Sequence, residues 1–288
     1  MEDIKVCRPH DPDYPSLLKQ IHKHPEILYY RGEAPSSFSN CISVVGTRTA
    51  TSYGRLATER LSGEIARAGC TIVSGLAYGV DSWAHARALE VRGRTIAVLG
   101  TGIDDASLYP AEKRGLARSI LDHGGCILSE HPPGTKGLKY HFVQRNRIIA
   151  GLSHATVVVE APAKSGALIT AHFALHENRE VFAVPGPITS LASEGTNMLL
   201  KKGAHCLTSV KDIQEVLEYL CLTLEQKEVL NEVGTEQHIL CILAEKPLHI
   251  DEIAHATSLD IQSTVSTLLI LEMKGLVKNI GSMQYIKL

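Results

Sequence analysis

No Cys-x-x-Cys pair occurs in these 288 residues, and the seven cysteines are odd in number. That argues against a zinc ribbon, a dithiol redox motif or a disulfide framework. Cys41, Cys70, Cys126 and Cys206 stand at or beside the starts of apolar runs and read as reduced core thiols. No apolar run is long enough to span a bilayer. The N-terminal MEDIKVCRPHDPDYP lacks the apolar stretch of a signal peptide, so a cytoplasmic protein without a membrane partner is expected. There is no P-loop, and no Gly-x-Gly-x-x-Gly follows the first strand-like run. After Val45 the chain reads GTRTATSYG, where Arg48 takes the place of the second glycine. Gly100-Thr101-Gly102 is followed by Ile103-Asp104-Asp105, with no third glycine and with acids that would repel phosphate. Nicotinamide or ATP chemistry is therefore not expected, and no cofactor is assigned.

Charge is also missing in places. The net charge is −2, so no overall basic excess announces a polyanion. No arginine follows Arg179, and from Leu222 onward five lysines face nine acids. A polyanion would therefore meet the body of the chain and not its tail. Between Glu160 and Glu177 there is no carboxylate, although basic residues and a small-residue turn surround an apolar run there.

What is present is a regular alternation. Apolar runs at Ile42–Val45, Thr71–Ser74, Thr95–Leu99, Cys126–Ser129, Ala155–Val159 and Glu180–Val184 are separated by glycine turns and helical patterns. The helices read as Ser52–Ala68, Asp81–Val91, one after Pro110, and one over Gly166–His176. Continuous apolar strands alternating with helices predict an α/β fold, a mostly parallel doubly wound sheet. Such sheets bind ligands outside the carboxyl ends of their strands. That edge collects Gly46-Thr47-Arg48, Ser74-Gly75, Gly100-Thr101-Gly102, Arg145 to Arg147 and Lys164-Ser165-Gly166. Each glycine alone is an ordinary turn residue. Together, with the arginines, they predict a phosphate-binding surface at helix N-termini.

Other chemistry reads weakly. His172 and His176 have metal-ligand spacing but no third ligand, so no metal site is assigned. Ser74 and Ser165 each precede glycine but lack a nucleophile elbow, and read as hydroxyl donors to phosphate or as turn residues. No catalytic residue is assigned. Arg145 and Arg147 diverge by about half a turn on a helix, so one reaches the ligand edge while the other packs or pairs elsewhere. Asn146 between them positions a ligand by its amide, and Phe142 and Tyr140 lie just upstream. Arginine beside an aromatic ring is the composition of a single-strand nucleic-acid platform.

The tail reads as a separate unit. Helical patterns over Gln237–Glu245, Asp251–Thr257 and Ile261–Lys274 precede a hairpin, Leu276–Ile280 and Met283–Lys287, around Gly281-Ser282. That order is a winged helix-turn-helix. The expected organisation is a proline-punctuated lead-in over 1–35 with a short helix near Ser16–His22, a main domain over 36–222, and a winged-helix domain over 223–288, the linker lying near Thr223–Gly234.

At these residues the chain resembles the DNA-processing protein A family, DprA/Smf. The resemblance rests on Gly46-Thr47-Arg48 with Tyr53-Gly54, SGLAYGVDSWAHARAL (Ser74–Leu89), TIAVLGTGID (Thr95–Asp104) with Tyr109-Pro110, and RNRIIAGLS (Arg145–Ser153). Glu160, SGALIT, Pro185-Gly186 and Glu194–Asn197 complete it, all in order between about Tyr14 and Leu217. It implies an extended Rossmann-like fold without catalytic activity or cofactor. It also implies a single-stranded DNA-binding homodimer that protects incoming or exposed strands, and that loads RecA recombinase onto strands coated by single-strand-binding protein, in natural transformation. The family's DNA-contacting arginine falls on Arg48, and its aromatic-led RN motif on Phe142, Arg145 and Asn146. The chain departs from the pattern with Val143 where proline is common, Val80 for isoleucine and Ala167 for serine. The family's variable N-terminal helical domain is reduced here to the lead-in around Tyr14-Pro15 and Leu17-Leu18. Two alternatives use the same edge: a nucleotide sensor, and a nucleotide N-glycosidic hydrolase whose acid would have to be Glu130 or Glu160.

Overall fold

The computed structural model describes residues 3–217, 239–240, 242–243, 247–257, 261–273, 275–281 and 283–287. The chain divides into two compact units, residues 1–218 and 219–288. The linker read near Thr223–Gly234 lies outside the described residues, as does most of the helix read at Gln237–Glu245.

The first unit is built on one sheet. Its strands are β1 (Lys5–Cys7), β2 (Leu28–Gly32), β3 (Cys41–Val45), β4 (Thr71–Ser74), β5 (Thr95–Leu99), β6 (Cys126–Ser129), β7 (Ala155–Val158), β8 (Glu180–Ala183) and β9 (His205–Cys206). They lie in the order β1-β2-β6-β5-β4-β3-β7-β8-β9. From β6 through to β9 every neighbouring pair is parallel, whereas β1 and β2 join antiparallel at the β6 edge. Every residue of β3, β4, β5, β6 and β7 is buried, as continuous apolar runs demand when both faces of a sheet are covered. Alternate residues serve opposite faces: Ile96 and Val98 join one apolar cluster with Leu18, Leu28, Ile148 and Val158, while Ala97 and Leu99 join another with Leu76, Ile120 and Ile127.

The helices are α1 (Ser16–Lys19), α2 (Ser52–Arg67), α3 (Val80–Glu90), α4 (Arg114–Asp122), α5 (Lys139–Gly151), α6 (Gly166–His176), α7 (Glu194–Lys201) and α8 (Val210–Val216). This is the mostly parallel α/β architecture that the alternation predicts, in the Rossmann-like form that the resemblance implies. The lead-in segment contributes more than a short helix. Its β1 and β2 extend the sheet, and Leu18 and Ile21 lie against Gly151 of α5.

Successive strands β3, β4, β5 and β6 run outward in one direction, and β7, β8 and β9 in the other. The reversal falls between β3 and β7, which pair from Ile42–Ala155 to Val45–Val158. That is the topological switch point, where open α/β sheets leave a crevice beyond the strand ends.

The second unit is described by itself. β10 (Leu248–His249), α9 (Ile250–Thr257), α10 (Ile261–Met273), β11 (Val277–Gly281) and β12 (Gln284–Lys287) form a winged-helix domain with the sheet order β10-β12-β11. Ile239, Leu243, Ile253, Leu268 and Val277 make its core. Among the described residues, no helix is long and apolar enough to cross a membrane.

Candidate nucleic-acid interface

A cleft of about 670 Å³ opens beyond the ends of β3 and β7, at the switch point. Three segments bound it: the β3–α2 turn with Gly46, Thr47 and Arg48; α5 with Lys139, Phe142, Arg145 and Asn146; and the β7–α6 turn with Lys164, Ser165 and Gly166. Segments distant in sequence thus converge because the sheet reverses there.

The Arg48 turn is tied on two sides. Thr47 N–H donates to the Glu160 carbonyl at 2.7 Å. The carboxylate of Glu160 accepts from the Thr51 amide at 2.8 Å and from its hydroxyl at 2.6 Å. Thr51 Oγ1 in turn accepts from Gly54 N–H at 3.1 Å and so caps α2. On the other side Gly79, at φ +71°, runs so close that a Cβ there would lie 2.5 Å from the Thr47 carbonyl oxygen. Held this way, Arg48 is exposed, with its guanidinium carbon 6.0 Å from the Phe142 ring centroid, and has no carboxylate partner among the described residues. The Phe142 ring is half-buried. Its atoms lie 2.9 and 2.7 Å from where Cβ atoms at Gly100 and Gly137 would stand, and its centroid is 5.7 Å from that of Tyr109. A guanidinium beside an accessible ring offers a phosphate contact and a stacking face together.

Arg145 borders the cleft, but its donors are turned onto the protein. Only 4% exposed, its Nη1 donates to the Gly75 carbonyl at 2.8 Å and also to the Val98 carbonyl, while Nε donates to Asn146 Oδ1 at 3.2 Å. Burial lowers its pKa from the usual range to about 10, against the pull of Asp81. Asp81 is buried in the cleft floor and accepts from Gly75 N–H at 3.1 Å and Ala77 N–H at 3.4 Å. Burial pushes its carboxyl up, and Arg145 draws it back down. Arg145 fastens strand-end carbonyls beneath the cleft because the flanking Ile148 and Ile149 turn that face of α5 inward. Arg147 pairs with Glu130, the two side chains being 16% and 15% exposed.

Asn146 lines the cleft but donates from Nδ2 to the Gly166 carbonyl at 3.2 Å, joining α5 to α6. Ser165 is the N-cap of α6, its Oγ accepting from Ala167 N–H at 3.3 Å, so the helix N-terminus opens on the cleft. Lys164 is exposed at the rim. Ser74 stands apart: it is fully buried, and its hydroxyl donates to the Val44 carbonyl at 2.6 Å. Gly75 borders a narrow crevice that adjoins the cleft. Val80 packs its Cγ2 2.5 Å from where a Gly46 Cβ would be, and Val143 lies on α5, on the cleft wall. Among the described residues no group of three or more potential ligands could hold a metal ion, and His172 and His176 are exposed.

Lys139, Tyr109 and Asp81 are among the lining residues that escaped the sequence reading as site residues. Tyr109 and Asp81 lay inside quoted motifs, but nothing in the pattern says that they face the same cleft as Arg48.

Comparison with known proteins identifies the family. The family model described as DNA recombination-mediator protein A matches residues 5–218, and that of the DprA winged helix domain matches residues 231–280. The chain is 39% identical over 315 residues to Protein Smf of Synechocystis sp., covering 96% of this chain and 78% of that protein. It is 44% identical over 205 residues to DNA processing protein DprA of Bacillus subtilis, covering 71% and 68%. The X-ray structure of DNA processing protein A from Streptococcus pneumoniae superposes with a TM-score of 0.69 at 38% identity, covering 74% of each chain. A structure of the Helicobacter pylori protein, solved for its single-stranded DNA binding mode, gives 0.67 at 28% identity over 76% of this chain and 99% of that one. With its sheet, its winged helix and most of its length matched, the chain belongs to the DNA recombination-mediator protein A (DprA/Smf) family.

Proposed function

We propose that the cleft binds single-stranded DNA and that the protein delivers such strands to RecA recombinase. The observation that carries this reading is the pairing of exposed Arg48 with the Phe142 ring at the mouth of the switch-point cleft. Lys139, Lys164 and the α6 N-terminus add positive potential around the same opening. The H. pylori relative's single-strand binding mode supports the same assignment. Gly46, Gly75, Asn146, Ser165 and Gly166 shape this site, while Ser74 and Arg145 act by holding its frame.

The protein acts in this reading as a cytoplasmic, non-enzymatic homodimer. It protects incoming or exposed strands and admits RecA where single-strand-binding protein coats them, in natural transformation. Residues 36–222 carry the DNA site, residues 1–35 complete its sheet, and residues 223–288 contact protein. A general acid is hard to find for the hydrolase alternative: both Glu160 oxygens are occupied by Thr51, and Glu130 pairs with Arg147. Fluorescence anisotropy with oligothymidylate, duplex DNA and mononucleotides across a salt series tests the reading. Single-strand preference with a steep negative salt slope is expected, and Arg48→Ala removes affinity and flattens the slope by about 0.7 while the protein stays folded. Phe142→Ala weakens binding by about 1–3 kcal/mol. Preference for mononucleotides would favour the sensor. RecA filament formation on coated strands, with and without the protein, tests delivery.

A further inference from the structure

Beyond Phe142 the cleft narrows into a crevice lined by Arg48, Gly75, Tyr78, Tyr109 and Pro110. Arg48, Tyr109, Phe142 and Arg145 border both spaces, so the two share walls. Two exposed rings stand along this exit. Tyr109 is 50% exposed and its hydroxyl has no protein partner among the described residues. Tyr78 is 38% exposed, and Lys113 Nζ stands 5.4 Å from its ring centroid.

The arrangement repeats a unit. Arg48 sits over Phe142 and Lys113 over Tyr78, while Tyr109 lies 5.7 Å from Phe142 and lines the same crevice as Tyr78. One cation with one ring is what a nucleotide needs, a phosphate partner and a stacking face. The rings are too close for a base to slide between Tyr109 and Phe142, so Tyr109 offers its outer face. Tyr78 is held for this role. Leu76, fully buried at φ +56°, and Gly79 at φ +71° fold its loop tightly, and Tyr78 OH donates to Glu112 Oε2 at 2.7 Å.

We propose that this exit is a second single-strand subsite, in which Tyr109 and Tyr78 stack the bases of nucleotides leaving the cleft and Lys113 takes a phosphate between them. The proposal rests on the single-strand reading of the main cleft. It assigns Glu112 the task of orienting Tyr78, at the cost of one negative charge beside the track.

The test compares a thymidine trinucleotide, which fills the cleft alone, with an oligothymidylate of about fifteen nucleotides, which also follows the exit. Wild type, Arg48→Ala, Tyr109→Ala, Tyr78→Ala, Tyr78→Phe and Glu112→Gln are titrated by anisotropy, with melting temperature as the check on folding. Tyr78→Ala weakens the long strand about tenfold and shifts the trinucleotide less than about twofold, while Tyr109→Ala, at the wall shared with the cleft, weakens the long strand more than the trinucleotide. Arg48→Ala weakens both. Tyr78→Phe keeps the ring and keeps long-strand affinity. Glu112→Gln keeps an acceptor for Tyr78, removes the charge and tightens the long strand. Long-strand binding unchanged in both tyrosine-to-alanine variants, with Arg48→Ala still defective, overturns the subsite and leaves the main cleft standing. An equal loss for both lengths in Tyr78→Ala places that ring inside the cleft and also overturns it. A wild-type protein that binds neither strand removes the single-strand reading and this subsite together.

Discussion

Thr51 and Glu160 meet twice: the amide and the hydroxyl of Thr51 both donate to the one carboxylate, at 2.8 and 2.6 Å. Glu160 ends the apolar run of β7, and Thr51 begins α2, so this contact joins the two sides of the switch point. The carboxylate that looked available for chemistry is a fastening for the Arg48 turn. Glu160→Gln replaces one acceptor by a donor facing Thr51. It should cost about 1–2 kcal/mol in denaturant unfolding and weaken single-strand binding through the displaced turn. A variant as stable as wild type would show that the turn does not depend on this contact.

Arg145 and Arg48 should separate cleanly by experiment. Arg145→Met leaves Asp81 buried without its cation and leaves the Gly75 and Val98 carbonyls without their donor. The expected loss is roughly 3–5 kcal/mol of folding stability, read from urea melts. Arg48→Ala, at an exposed position, should leave the same melt within about 0.5 kcal/mol.

His85 gives the unit an acid sensitivity. It is fully buried, with Nδ1 2.7 Å from Thr95 Oγ1, whose own hydroxyl donates to the Ile72 carbonyl. His85 Nδ1 therefore carries the proton, and Nε2 is buried without a partner. Burial, helped by the Arg145 charge, lowers its pKa from 6.5 to about 3. Between those values the unfolded chain binds a proton that the native protein does not. The stability from neutral His85 is thus complete above 6.5 and is lost as pH falls, by up to about 1.4 kcal/mol per unit. Unfolding free energies of wild type and His85→Gln, measured from pH 7.5 down to about 5, should converge. Parallel curves would refute it.

The winged helix is expected to leave duplex DNA alone. On α10, where such domains read the major groove, Ile261, Val265 and Leu269 present one exposed apolar stripe, 57, 43 and 58% exposed. Exposed Asp251 and Glu252 open α9. Duplex affinity needs neutralised phosphates, and this surface supplies few cations. Deleting residues 219–288 should leave single-strand affinity intact by anisotropy, and the isolated segment should not bind duplex at physiological salt. Submicromolar duplex binding by that segment would contradict this.

The strands from β3 to β8 were legible because burial on both faces removes any need for alternation, leaving plain runs such as Thr95–Leu99. β1, β2 and β9 were not. β1 and β9 are short and end the sheet, with Val6 45% exposed, and β2, next to the edge, mixes Arg31 among its tyrosines. The glycine turns gave the edge on which the cleft lies. They could not separate Arg48 from Arg145, since both sit among uncharged polar neighbours and only the packing of α5 turns one inward. Nor could they reveal that Gly100 and Gly137 leave just the room that Phe142 occupies.

The switch point also sets an order on biosynthesis. Strand β3 is paired by β4 on one side but on the other must wait for β7. A chain that has left the ribosome only through β6 holds Arg48 without Lys164, Ser165 or Gly166. It also exposes, in what will be the middle of the sheet, an apolar edge open to pairing with any other strand. Completion of the cleft and protection from misassembly therefore arrive in the same moment, when the second half docks, and a translational pause before that point would carry the greatest hazard for this fold.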